Sequence, residues 1–84
     1  MPTVEIYTTP YCGYCRAAKA LLTRKGVKFT EIDVGSDPAR RDEMLARANG
    51  GWTVPQILID GEPIGGYVEL WRLDQSRGLE KLAV

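Results

Sequence analysis

Apolar and polar residues alternate along Val4-Glu5-Ile6-Tyr7-Thr8, a stretch rich in β-formers, which predicts a first strand. The period then lengthens. Ala17, Ala18, Leu21 and Leu22 recur at helical spacing, predicting a helix from about Gly13 to Lys25 that Gly26 stops as its C′ residue. Lys28 to Val34 alternates again and predicts strand two. Ser36-Asp37-Pro38 reads as a helix cap with proline in the first turn. Met44, Leu45 and Ala48 share one side of the helix that follows, and Asn49-Gly50-Gly51 ends it. Val54 to Asp60 predicts strand three, and Asp60-Gly61 is a strong hairpin signal leading to a brief fourth strand near Pro63-Ile64. Gly65-Gly66 breaks that strand. Tyr67, Leu70, Trp71 and Asp74 fall at helical spacing for a third helix, with Trp71 expected in the core, and Leu79 to Ala83 reads as a fourth. The order βαβαββαα describes an α/β layer fold. Its first two strands are parallel across a helical crossover and its last two form an antiparallel hairpin, so the four-stranded sheet is mixed.

Length changes the picture little: 84 residues make one domain, spanning 1–84. A chain this short buries only about 60% of its unfolded surface, so modest stability is expected. Eleven basic and eleven acidic residues cancel, which argues against nucleic acid or an anionic membrane as the main partner. No apolar run approaches the roughly 20 residues that span a bilayer. Met1-Pro2-Thr3-Val4 lacks the basic and apolar regions of a secretory signal, so a cytoplasmic location is expected if Met1 is the native start.

The chemistry is concentrated in Cys12-Gly13-Tyr14-Cys15, which holds both cysteines of the chain. A C-x-x-C pair between a strand and a helix reads as a thioredoxin-like redox motif. In a reducing cytosol such a pair is catalytic or metal-binding rather than a structural staple. Zinc is disfavoured, because two cysteines and no histidine fall short of the four usual ligands. No metal is therefore expected in the monomer. A free cysteine is only about 3% ionised at pH 7, and the thiolate is the reactive form. Cys12 is expected where the first N–H groups of the helix, those of Tyr14 and Cys15, point at its sulfur together with the positive end of the helix dipole. Such stabilisation does little for attack, since nucleophilicity falls as basicity falls; its net effect is that Cys12 departs readily from a mixed disulfide. Arg16 either adds positive charge here or is an ordinary solvated helix residue. Elsewhere, Pro55 belongs at a strand start or edge. Gly65-Gly66 is either a plain turn or a place where a ligand backbone approaches the N–H groups of the next helix.

With Cys12-Gly13-Tyr14-Cys15, Thr53-Val54-Pro55-Gln56 and Ile64-Gly65-Gly66-Tyr67 in order, the whole chain resembles a glutaredoxin of the dithiol type. The resemblance implies the thioredoxin-like (glutaredoxin) fold, a cis bond before Pro55, and glutathione as co-substrate. It implies Cys12 as the nucleophile that takes the glutathionyl group and Cys15 as the resolving thiol. Val54 matches the residue whose backbone pairs with the glutathione cysteine, with Thr53 and Pro55 shaping that site. Gly66, Tyr67, Val68 and Glu69 match the segment that holds the γ-glutamyl end. Tyr14 matches the groove wall, and Arg41 is a weaker candidate for the glycyl carboxylate. Four positions depart from the family pattern. Thr9 stands where many relatives have lysine, Gly13 where proline is common, Val68 where a polar or acidic residue is usual, and Trp52 where a small or basic one is.

The leading expectation is a glutathione-dependent thiol–disulfide oxidoreductase, monomeric, that reduces glutathionylated and disulfide-containing proteins. A second is a carrier or sensor in which two chains and two glutathiones hold a [2Fe–2S] cluster through Cys12, a role that Gly13 keeps open. A third is an electron donor to ribonucleotide reductase, against which the Gly65-Gly66-Tyr67 segment argues for glutathione.

Overall fold

The computed structural model describes residues 2–83. Four strands and three α-helices follow one another as β1 (Val4–Thr8), α1 (Gly13–Arg24), β2 (Thr30–Asp33), α2 (Pro38–Arg47), β3 (Gln56–Ile59), β4 (Glu62–Gly65) and α3 (Tyr67–Gln75). The predicted fourth helix is corrected to a single 3₁₀ turn, Gly78–Lys81. Four residues starting from a left-handed Arg77 (φ 64°) are too few to build an α-helix there. The sheet runs β2-β1-β3-β4, with β1 and β2 parallel and the other pairs antiparallel.

Alternation in the strands sends side chains to two cores. Val4, Ile6 and Ile57 face α1 and α3, packing with Ala18, Leu21, Leu22 and Leu70. Tyr7 and Leu58 face the other way, onto Met44 of α2. The regular strands are shorter than the alternation predicts: β2 keeps Thr30–Asp33 and β3 keeps Gln56–Ile59. Val34 is buried beyond the end of β2, so its apolar character reports core contact rather than strand. Trp71 is also corrected. It is 46% exposed, because α3 buries Leu70 and turns the next residue outward.

Helix termini follow local chemistry. Gly26 (φ 73°) ends α1 in a Schellman arrangement, with Gly26 N–H on Thr23 O (3.1 Å) and Val27 N–H on Leu22 O (2.9 Å). Asp37 caps α2 by accepting from Arg40 N–H at 3.2 Å, with Pro38 at its first position. Asp60 (φ 51°) and Gly61 (φ 81°) supply the two positive φ angles of a type I′ hairpin turn.

Candidate active site

Cys12 is the N-cap residue of α1, in extended backbone geometry, directly after β1 and its connecting loop. A capping residue offers its side chain to the unpaired N–H groups of the first turn. Here the acceptor is sulfur: Cys15 N–H donates to Cys12 Sγ at 3.1 Å. A sulfur anion accepts such a bond more strongly than a thiol does. Of the two donors expected, it is the one at Cys15 that makes this bond. On its other side Cys12 Sγ donates to Val54 O at 3.8 Å, across 42 residues of sequence. Both cysteines are reduced.

Cys15 is placed differently. It is 1% exposed, whereas Cys12 is half-buried. Burial, first, and the neighbouring Cys12 push the Cys15 thiol up to about 12, while a backbone hydrogen bond from Thr9 and the charge of Lys19 pull it down. One sulfur therefore meets solvent, and the other waits beneath it as a protonated thiol.

The Val54–Pro55 bond is cis. Gln56, at the start of β3, ties down the preceding loop by donating to Thr53 O at 2.9 Å. Behind it, Gly65 (φ 114°) and Gly66 let β4 and α3 close up: a side chain at Gly65 would meet Glu69 at 2.6 Å, and one at Gly66 would meet Pro55 O at 3.2 Å. Glu69 reaches back to accept from Gly66 N–H at 2.7 Å, fixing the entry to α3.

These elements enclose an open groove of about 340 Å³ lined by Tyr14, Thr53, Val54, Pro55, Gly66, Tyr67, Val68 and Glu69. The rings of Tyr14 and Tyr67 stand 6.0 Å apart along its wall. Eight of the residues nominated from the sequence thus come together beside Cys12. Arg41 does not join them; it lines a separate hollow with Val34, Gly35 and Pro38 at the start of α2. None of the groove's lining residues is basic, and its one charge is Glu69. Trp52 is 72% exposed on the loop before Thr53.

A second hollow, of about 370 Å³, opens on the opposite side of the cysteine pair. Cys12 and Cys15 line it together with Thr8, Arg16, Lys19 and Glu31. The sequence reading passed over Thr8, Lys19 and Glu31. Lys19 lies four residues after Cys15, a spacing that puts both on one helix face and could have drawn attention to it. No comparable local signal marks Thr8 and Glu31, which sheet pairing brings into place.

A family model described as Glutaredoxin matches residues 4–64. The chain is 50% identical over 82 residues to Glutaredoxin 3 of Escherichia coli strain K12, covering 98% of each chain. Its fold is similar to the solution structure of glutaredoxin from Brucella melitensis (TM-score 0.80, 46% identity, covering 95% of this chain and 86% of that one). It is also similar to a buckwheat glutaredoxin crystallised as a complex with glutathione (TM-score 0.83, 25% identity, 96% and 76% covered).

Proposed function

The chain belongs to the glutaredoxin family and is a thiol–disulfide oxidoreductase; from that premise we propose that it works with glutathione, Cys12 being the nucleophile and Cys15 the resolving thiol. The observation that carries this is the position of Cys12 Sγ, capped by Cys15 N–H and next to Val54 O at the edge of the Tyr14–Tyr67 groove.

In this reading Cys12 attacks the glutathione sulfur of a mixed disulfide, and the reduced substrate leaves. A second glutathione then attacks the Cys12 adduct. Cys12 departs readily as the leaving group, which thiol–disulfide exchange rewards. The tripeptide lies along the groove, its cysteine beside the Val54 backbone. Its γ-glutamyl carboxylate faces the first N–H groups of α3, which have no partner within the helix. Its amine faces Glu69, one of whose oxygens is already held by Gly66 N–H. The family's polar side chain is absent at Val68, so this end rests on backbone donors and Glu69. For protein disulfides Cys15 attacks Cys12 and closes a dithiol cycle.

The test is a coupled assay with a glutathione mixed disulfide, glutathione, glutathione reductase and NADPH. Cys12→Ser is expected to abolish turnover, and Cys15→Ser to retain de-glutathionylation while losing reduction of protein disulfides. Equal loss of de-glutathionylation in both variants would overturn the role split. Full activity with thioredoxin reductase and no glutathione would overturn the choice of reductant.

A further inference from the structure

The hollow on the far side of the cysteines is unexplained by glutathione binding, and its charged groups are organised. Lys19 Nζ is held by Glu31 Oε2 at 2.9 Å. The same Glu31 oxygen accepts from Thr8 Oγ1 at 2.8 Å, and Thr8 is 2% exposed on β1. A flexible ammonium is thereby fixed, from β1 through β2 to α1, in a cavity that Cys15 also lines. The titratable and charged groups around Cys15 here are Cys12 at the N-cap of α1, Arg16 and Lys19 from α1, Tyr11 from the loop, and Glu31 and Asp33 from β2.

We propose that Lys19, held in place by Glu31 and Thr8, is the positioning residue for the resolving thiol: its charge favours the Cys15 thiolate at the moment that thiolate attacks Cys12. The proposal rests on the role split stated above and adds what drives its second half. A buried thiol must ionise before it can attack, and its burial opposes that. At about 370 Å³ the cavity has room for several waters, each needing about 30 Å³, so the Cys15 proton leaves to solvent. The Cys15 thiolate then forms the bond to Cys12 sulfur, the Cys12–substrate S–S bond breaks, and the substrate thiolate departs to take up a proton from water. Atoms and electrons balance with the mixed disulfide as the only oxidant.

The magnitude can be bounded. Removing one cation from this cavity lowers the thiolate population about three- to tenfold. The more basic thiolate that remains is a better nucleophile, with a Brønsted coefficient of about 0.4–0.5, and regains roughly half of that on a logarithmic scale. The resolving attack should therefore slow about two- to fourfold.

The experiment mixes reduced protein with one equivalent of Ellman's reagent and follows thionitrobenzoate release. Cys12 releases the first thionitrobenzoate and carries the second. Cys15 then displaces the second as the Cys12–Cys15 disulfide closes. The readout is the second-phase rate relative to the first within each trace. Lys19→Met is expected to slow that ratio about two- to fourfold, and Lys19→Arg to restore it. Glu31→Gln keeps an acceptor for Thr8 and Lys19 but removes an anion, so it should leave the ratio equal or raise it. A merely structural ion pair predicts that Lys19→Met and Glu31→Gln slow it alike; that result, or no change in Lys19→Met, would overturn the proposal. Should Lys19→Met fail to fold, Glu31→Gln decides against wild type: an equal or faster ratio supports the proposal, and a slower one refutes it. A second release that persists in Cys15→Ser would instead refute the underlying role split, so the two failures are separable.

Discussion

Two identical side chains three residues apart have different chemistry here because one caps a helix and the other lies inside it. Cys12 receives the Cys15 N–H and meets solvent, while Cys15 is 1% exposed and held protonated. The place of Cys12 at the helix start was legible from the C-x-x-C pair at a strand–helix junction; the burial of Cys15 was not, because it depends on how α1 docks on the sheet. The groove residues were nominated through the glutaredoxin resemblance, and they line one groove in the fold. Arg41 was not legible, because α2 turns it toward the 34–38 loop instead of the groove. Glycine at position 65 is required by geometry: its φ is 114°, and a Cβ there would meet Glu69 at 2.6 Å. Gly65→Ala should destabilise the fold by about 1–3 kcal/mol through backbone strain. It should also weaken glutathione binding, because Glu69 would be displaced from Gly66 N–H. Chemical denaturation and calorimetric titration with glutathione check both; an unchanged midpoint would contradict the strain.

At the scale of elements, the three helices are secured unequally. Helix α1 buries Cys15, Ala18, Leu21 and Leu22, whereas α2 buries only Met44. The rest of the α2 attachment is polar. Arg47 grips Glu5 with two bonds of 2.6 and 2.8 Å, and the buried Tyr7 hydroxyl donates to Glu43 at 2.6 Å. Met44→Ala is expected to cost about 2–5 kcal/mol and to speed amide hydrogen exchange in α2 ahead of α1. A loss below about 1 kcal/mol would show that the polar contacts alone hold the helix. The helices were readable from caps and periodicity, with Asp37-Pro38 and Gly26 marking their ends. Trp71 was misjudged because adjacent residues at helical spacing leave the buried side ambiguous until α3 is docked through Leu70. The Thr8–Glu31–Lys19 chain was invisible for a related reason: it spans 23 and 12 residues and exists only once β1 and β2 pair.

Across the whole molecule, pH acts from both ends. The carboxyls of Glu5, Glu31 and Glu43 are lowered from 4.5, chiefly by Arg47, Lys19 and the Tyr7 hydroxyl respectively. A carboxyl depressed in the folded state stabilises above its unfolded value and loses that contribution as pH falls through the folded one. Stability should therefore decline below about pH 4.5, and Glu5→Gln should soften that decline. Cys15 and Tyr7 are raised, chiefly by burial, from 9.0 and 10.0. Their contributions are complete below those values and are lost as pH rises through the folded ones. Urea midpoints should thus also decline above pH 9, and in Cys15→Ser only above pH 10. A wild-type midpoint that stays flat to pH 11 would contradict the burial of both groups.

All of these features serve one half-buried, solvent-reached sulfur backed by one fully buried sulfur. Intact-mass analysis of Cys15→Ser after incubation with oxidised glutathione, followed by peptide mapping, addresses that arrangement directly. One glutathionyl group on Cys12, removed again by reduced glutathione, is the expected result. An unmodified Cys12, or a Cys12→Ser variant whose Cys15 is glutathionylated at the same rate, would contradict the assignment.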